Sequence, residues 1–303
     1  MGRTTGTLLR PASLARWVAL YRRGRVRGVV MAERREVQEA AQDRRVFLLG
    51  CGIDALTLGE TVGEVDNIVR ARRPVQHCAI NASKVVLMHK QPSLMAIVRS
   101  CALVNADGQS VVWASRFLGQ TLPERVAGVD LFQALLRLAA DRGYSVYFMG
   151  ATREVLHATV ARACREHPTL RVAGARDGYW TEGDHEVVQQ VRDAEPAILF
   201  VAMPSPRKEY WLAEHLDRMR VPFAMGVGGS FDVYAGHVQR APKWMQRAGL
   251  EWAFRFLQEP GRMWKRYLLG NLAFVALVLK YRSRRKPATD AAGASQWRGP
   301  HAS

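Results

Sequence analysis

From about residue 46, short apolar runs alternate with longer amphipathic stretches, and this alternation is what most narrows the folds open to the chain. The apolar runs are Val46–Gly50, Gln76–Ile80, Ala102–Val104, Ser145–Met149, Leu170–Ala173, Ala197–Ala202 and Pro222–Val227. Between them lie helix-like stretches at Glu60–Arg70, Ala82–His89, Leu94–Ser100, Ser110–Phe117, Leu131–Arg142, Arg153–Glu166, His185–Arg192 and Glu209–Met219. Strands that alternate with helices imply a mostly parallel sheet with helices on both faces. Residues 46–237 are therefore expected to form a Rossmann-like α/β domain of six or seven strands.

After Asp232 the texture changes. Residues 240–282 are rich in Arg, Trp and Leu and read as helix throughout, so 238–282 is expected to be a helical basic C-terminal appendage. Its longest apolar run, Leu268–Leu279, would rise only about 18 Å as a helix, short of a hydrocarbon core of about 30 Å. It reads as a docking or interfacial segment. Residues 283–303 read as a disordered tail, and residues 1–45 as a flexible basic extension without the apolar core of a signal peptide.

Charge sharpens the picture. The net charge of +17 is concentrated at the ends: residues 1–35 hold nine arginines and one acid, and residues 240–286 hold twelve basic residues and two acids. Residues 36–239 are close to neutral. A neutral body with basic ends fits an anionic membrane surface or a phosphate-bearing ligand at least as well as a nucleic acid, whose binders more often carry the basic stripe on the folded body. The four cysteines (Cys51, Cys78, Cys101 and Cys164) are widely spaced beside apolar stretches and read as reduced core residues. The histidines show no metal-ligand spacing, and no metal or cofactor is expected.

In parallel sheets, ligands bind outside the carboxyl ends of the strands. Asp107, in Asn105-Ala106-Asp107-Gly108, would sit at such an end. It reads either as a turn or cap carboxylate or as a base for a substrate hydroxyl. The run Gly226–Asp232 (GVGGSFD) reads as a tight turn or as a phosphate cradle of backbone N–H groups. With Phe at 231 it is not the dinucleotide-binding glycine pattern, and the chain lacks the phosphate loop of ATPases. In the appendage, Arg240, Lys243, Arg247, Arg255, Arg262, Lys265 and Arg266 are interleaved with Trp244, Trp252, Trp264 and Tyr267. That pattern fits an ordinary solvated helix face, a set of arginines for a diphosphate, or a membrane-surface helix.

The succession NASKVV, NADGQSVVWASRFLG, ERVAGVDLFQALL, VAMPSPRKEYWL and GVGGSFDVYAGHVQRAPKWMQRAGLEWAFRFLQEPGRMWKRY resembles the WecG/TagA/CpsF family of glycosyltransferases (glycosyltransferase family 26). The resemblance runs from about Val46 to Tyr281. It implies a metal-independent, inverting enzyme that moves a hexose or N-acetylmannosamine-type sugar from a UDP-sugar to a saccharide on a polyprenyl diphosphate. It also implies work in exopolysaccharide or cell-surface polysaccharide synthesis, as a peripheral protein on the cytoplasmic face of the bacterial inner membrane. Partners would be the UDP-sugar, the lipid-linked acceptor and an anionic membrane surface, with no nucleic acid; a homo-oligomer is compatible with this.

By the same resemblance, Asp107 is the base and Asn81 belongs to the family's threonine–asparagine motif. Ala79 stands where that motif has its Thr. The family's loop with Lys/Arg-Gln-Glu reads Pro204-Ser205-Pro206-Arg207-Lys208-Glu209, with Lys208 in place of Gln, a change that leans toward a neutral hexose donor. Asp130, Arg207, Lys208, Glu209, Gly226, Gly228 and Asp232 are expected around the substrates, and Arg240, Arg255, Arg262, Lys265 and Arg266 around the diphosphate. The alternative is a non-catalytic, membrane-surface scaffold that binds nucleotide sugars, to which the missing Thr would point.

Overall fold

The structure, a computed structural model, describes residues 44–181, 183–247, 249–258, 261 and 270–284. Among them, six strands form one parallel sheet: β3 (Val75–Ile80), β4 (Leu103–Ala106), β5 (Ser145–Gly150), β6 (Arg171–Arg176), β7 (Ile198–Ala202) and β8 (Phe223–Gly226). Their order is β4-β3-β8-β7-β5-β6. The α/β architecture read from the alternation is the one observed.

The run at Val46–Gly50 belongs elsewhere. Strands β1 (Arg45–Leu48) and β2 (Cys51–Asp54) form a separate antiparallel ribbon. Asp54 ties it to the edge of the main sheet. Its Oδ2 accepts the Val104 backbone N–H at 2.7 Å, and its carboxylate takes Nε of Arg45 at 2.8 Å. Arg45 in turn donates to the Cys101 and Ala102 carbonyls. Together these bonds occupy part of the edge that β4 would otherwise leave open.

The sheet is buried on both faces along β4, β3, β8, β7 and β5, mostly by apolar side chains, whereas the edge strand β6 (RVAGAR) stays partly exposed. Val146, Phe148, Ile198, Phe200, Phe223 and Met225 point to one side, where they meet α1 (Leu58–Ala71), α5 (Gly128–Arg142), α6 (Arg153–Glu166) and α9 (Ser230–Tyr234). Phe132 of α5 is the hub there, with its ring against Phe148, Phe200, Phe231 and Tyr234. Tyr147, Met149, Leu199, Val201 and Ala224 point to the other side, toward α7 (Asp184–Asp193) and α8 (Arg207–Met219). Beside them α2 (Ala82–Lys90), α3 (Pro92–Ser100) and α4 (Gln109–Phe117) cover β3 and β4. Cys51, Cys78 and Cys101 lie in this core as expected, whereas Cys164 is exposed.

The appendage is not continuous helix. Its described parts are α10 (Lys243–Arg247), α11 (Glu251–Gln258) and α12 (Gly270–Arg284). Between α10 and α11 the chain turns at Gly249, which has φ +71°. A Cβ there would lie 2.6 Å from Gln109 Cγ and 3.0 Å from the Trp113 ring, so the turn presses directly on α4. Helix α12 docks on α2, where Phe274 and Val278 complete the core. The docking reading of Leu268–Leu279 therefore holds for its described residues. Among those residues no helix is long and apolar enough to cross a membrane.

Candidate active site

The two loops that leave β3 and β4 are bonded to each other. The Asp107 and Gly108 N–H groups both donate to the Ile80 carbonyl, at 2.8 and 3.3 Å. Asn81, the next residue, caps α2 by accepting the Lys84 N–H on Oδ1 at 3.0 Å. Its Cβ lies 3.2 Å from where a side chain on Gly108 would begin, so the two turns approach closely at this glycine. Asp107 and Asn81 are thus neighbours at the carboxyl edge of the sheet.

Asp107 is held from a third direction. Its Oδ1 accepts the Gly128 N–H at 2.9 Å, at the start of α5. That N–H is one of the first-turn donors that the helix itself leaves unpaired. Among the described residues, Oδ2 accepts no hydrogen bond, and the residue is half-buried. An oriented carboxylate with one open oxygen is what a general base requires.

Asp130, one turn into α5, forms a two-pronged pair with Arg240: Nη1 to Oδ1 at 2.5 Å and Nη2 to Oδ2 at 2.7 Å. Glu251 of α11 lies 3.8 Å from Arg240 Nε and accepts Arg125 Nη1 at 2.9 Å. Burial would weaken the Arg240 charge, but Asp130, Glu251 and Asp107 together hold it above the ordinary arginine value. The structure therefore joins Asp130 and Arg240 in an internal clasp that seats the appendage beside Asp107. Replacing Arg240 with Met is expected to cost about 1–2 kcal/mol, because the pair is partly exposed. Faster amide exchange in α10 and α11, with the sheet unaffected, is the accompanying signature.

Of the two readings of the glycine-rich run, the structure shows the tight turn, with Gly228 at φ +54°. The N–H groups of Val227 and Gly228 donate to the Val201 carbonyl, and that of Ser230 to Val227. Those donors are committed within the protein, so the turn is not an open cradle of N–H groups. Instead, Gly226 and Gly228 make room for Lys208. A Cβ at 226 would stand 2.8 Å from Lys208 Cδ, and one at 228 would stand 3.2 Å from Nζ. Asp232 holds the end of α9, its carbonyl accepting the N–H groups of His237 and Val238.

Lys208 and Glu209 begin α8 and point inward, lining a small pocket with His77, Ala79, Lys84 and Gly226. Arg207 does not join them. It is exposed, with its guanidinium 5.5 Å from the centre of the Trp180 ring. Arg262, Lys265 and Arg266 lie outside the described residues, as does the side chain of Arg255.

Three residues of this region escaped the sequence reading. Lys84 sits in the first turn of α2, in NASKVV, where a lysine ordinarily faces water, yet it is buried and bonded to Glu209. Arg125 lies in a loop with no pattern to mark it. His77 is sealed in β3, its Nε2 3.0 Å from Asn105 Oδ1, and burial pushes its pKa down to about 4. Nothing in local spacing distinguishes any of the three.

The sequence profile of the glycosyl transferase WecG/TagA/CpsF family matches residues 16–288, nearly the whole chain. The chain belongs to this family. Two relatives are N-acetylglucosaminyldiphosphoundecaprenol N-acetyl-beta-D-mannosaminyltransferases. The one from Bacillus spizizenii is 36% identical over 199 residues, covering 65% of this chain and 76% of the relative. The one from Bacillus subtilis is 34% identical over 190 residues, covering 63% and 73%. As a WecG/TagA/CpsF member the protein is a glycosyltransferase, and the Rossmann-like sheet is the scaffold of its chemistry.

Proposed function

We propose that this WecG/TagA/CpsF protein transfers a hexose or N-acetylmannosamine-type sugar from a UDP-sugar to a saccharide carried on a polyprenyl diphosphate. The observation that carries the reading is Asp107, anchored by the Gly128 N–H and open at Oδ2, at the carboxyl edge of the sheet. Asp107 takes the proton of the acceptor hydroxyl as its oxygen attacks the anomeric carbon. The bond from that carbon to the UDP oxygen breaks in the same displacement. One displacement inverts the configuration, and it requires one base and no nucleophile on the enzyme.

The names of the two Bacillus relatives support the acceptor class, since both place N-acetylglucosamine on a diphosphate-linked undecaprenol. Their β product is what a single displacement on an α-linked nucleotide sugar yields. Cationic side chains neutralise the departing diphosphate, which makes the transfer independent of a metal. Arg255, Arg262, Lys265 and Arg266 are assigned to that task, with Asn81, Glu209 and the Gly226–Asp232 turn shaping the donor pocket. The non-catalytic scaffold reading draws on Ala79 alone, and the open carboxylate of Asp107 argues against it. UDP release from a panel of UDP-sugars, with and without lipid-linked acceptor, separates the two. Release only with acceptor supports transfer, and binding without release supports the scaffold.

We further propose peripheral attachment to the cytoplasmic face of the bacterial inner membrane. Helix α12 is apolar on two sides. Phe274 and Val278 face the core, whereas Leu272, Val275 and Leu279 are 61%, 52% and 54% exposed on one stripe. Trp113, Phe117, Trp252 and Leu257 add exposed apolar surface on α4 and α11. Basic residues beside such a stripe fit an anionic bilayer. Changing Leu272, Val275 and Leu279 together to Ser should leave the core intact. It should lower partitioning onto anionic vesicles by about ten- to a hundredfold in a flotation assay. Unchanged partitioning would remove α12 from the membrane contact.

A further inference from the structure

Three charged side chains are buried together where α2 meets α8. Lys84 Nζ donates to Glu209 Oε1 at 2.6 Å and to Cys78 Sγ at 3.5 Å. The other carboxylate oxygen of Glu209 accepts Ser205 Oγ–H at 2.9 Å. Lys208 stands next to this pair with Nζ 3.9 Å from Glu209 Oε1, beyond hydrogen-bond reach. The side chains of Lys84, Glu209 and Lys208 are 6%, 3% and 12% exposed, so all three charges sit largely out of water.

The cluster therefore holds two cations and one anion, and the anion is already committed to Lys84. Burial would raise the Glu209 carboxyl, but Lys84 and Lys208 hold it below the ordinary glutamate value. Burial would likewise depress Lys84, yet Cys78 and Glu209 hold it above the ordinary lysine value. At Lys208 the compensation from Glu209, Cys78 and Asp107 is outweighed. Burial first, and the Lys84 charge second, lower its affinity for a proton. Among the described residues its ammonium donates to no acceptor. The bare faces of Gly226 and Gly228 fix its stem and tip at the mouth of the sheet, close enough to Asp107 to feel its charge. A buried cation without an acceptor is costly, and an anion that reaches it recovers that cost.

We propose that Lys208 is the anchor for a diphosphate oxygen of the donor, and that Lys84 keeps it available by occupying Glu209. The proposal rests on the nucleotide-sugar reading above and adds two roles to it. Lys208 contacts the ligand. Lys84 touches no substrate and is a positioning residue: with Lys84 removed, Glu209 turns to Lys208 and cancels its charge. A diphosphate is present in both the nucleotide donor and the lipid acceptor, and the pocket at β3 and β8 is assigned to the donor.

The test is calorimetric titration of UDP and of inorganic diphosphate into the full chain and into K208Q, K208R, K84M and K84M/E209Q. A companion measurement is KM for donor and for lipid acceptor. K208Q is expected to weaken UDP binding about ten- to a hundredfold, the range for a charge-assisted contact. It should raise the donor KM and leave the acceptor KM alone. K84M should weaken UDP binding comparably, and K84M/E209Q should restore it, because no carboxylate then competes for Lys208. A merely structural role for Lys84 predicts no such rescue. If K84M does not fold, K208R carries the test: because it keeps the cation, UDP affinity well above that of K208Q is expected, and a loss as large as that of K208Q overturns the proposal.

Wild-type affinity in K208Q, or a double variant as weak as K84M, overturns the anchor while leaving the nucleotide reading intact. A raised acceptor KM with an unchanged donor KM moves the anchor to the lipid and overturns the assignment to the donor. Binding of inorganic diphosphate that depends on Lys208, with no added affinity for UDP, supports the anchor and overturns the nucleotide reading instead.

Discussion

Asp107→Asn is expected to lower sugar transfer by about 10²–10⁴-fold, the usual contribution of a general base. UDP affinity should stay near that of the wild type. Asparagine is the informative replacement because its amide oxygen can still accept the Gly128 N–H that orients residue 107. The turn therefore stays closed, the Ile80 carbonyl keeps its two donors, and the melting temperature should hold. What is lost is the ability of the outer atom to accept a proton. Product formation with a labelled sugar, read beside a UDP titration and a thermal melt, separates chemistry from binding and from folding. Full transfer by the variant would remove Asp107 from the mechanism.

Gly150→Ala should be the most damaging small substitution for the fold. Gly150 ends β5 with φ +107°, and a Cβ there would stand 2.4 Å from the Ala202 carbonyl oxygen on β7 and 2.6 Å from its carbon. The obstacle is backbone, which cannot rotate away. Left-handed strain and overpacking together should cost about 3–5 kcal/mol. That corresponds to a fall of about 6–20 °C in melting temperature for a domain of this size. Gly63→Ala is the control: Gly63 lies exposed in α1 with open space around it, and alanine there should be neutral or slightly stabilising. Equal melting temperatures for the two variants would contradict the close approach of β5 and β7.

These two glycines show what the sequence could and could not say. Both are single glycines in otherwise regular runs, and only the pairing of β5 with β7 makes one of them indispensable. The alternation of apolar runs with amphipathic stretches was enough for the parallel sheet, because the central strands β5, β7 and β8 are apolar at nearly every position and are separated by amphipathic helices. It could not place Val46–Gly50, since an apolar run does not reveal whether its partner is parallel or antiparallel. Asp107 and Asn81 were legible because they fall just after strands, where side chains meet at the carboxyl edge. Lys84 was not, because a lysine on a helix looks solvated until the glutamate 125 positions later is seen to meet it. For the glycine-rich turn, the tight-turn form was among the readings open to the sequence, but the contact of Gly226 and Gly228 with Lys208 was not legible, because another element supplies that lysine.

The account depends on a carboxylate at the sheet edge that activates a sugar hydroxyl while cationic side chains receive the leaving diphosphate. The most direct measurement is transfer by the full chain from UDP-N-acetylmannosamine and UDP-glucose to a polyprenyl-diphosphate-linked N-acetylglucosamine, run in excess chelator, with the anomeric configuration of the product determined. The expected result is a β-linked product from one of the two donors, formed at the same rate with and without chelator, and UDP release that requires the acceptor. A product of retained configuration, or transfer abolished by the chelator, would contradict it.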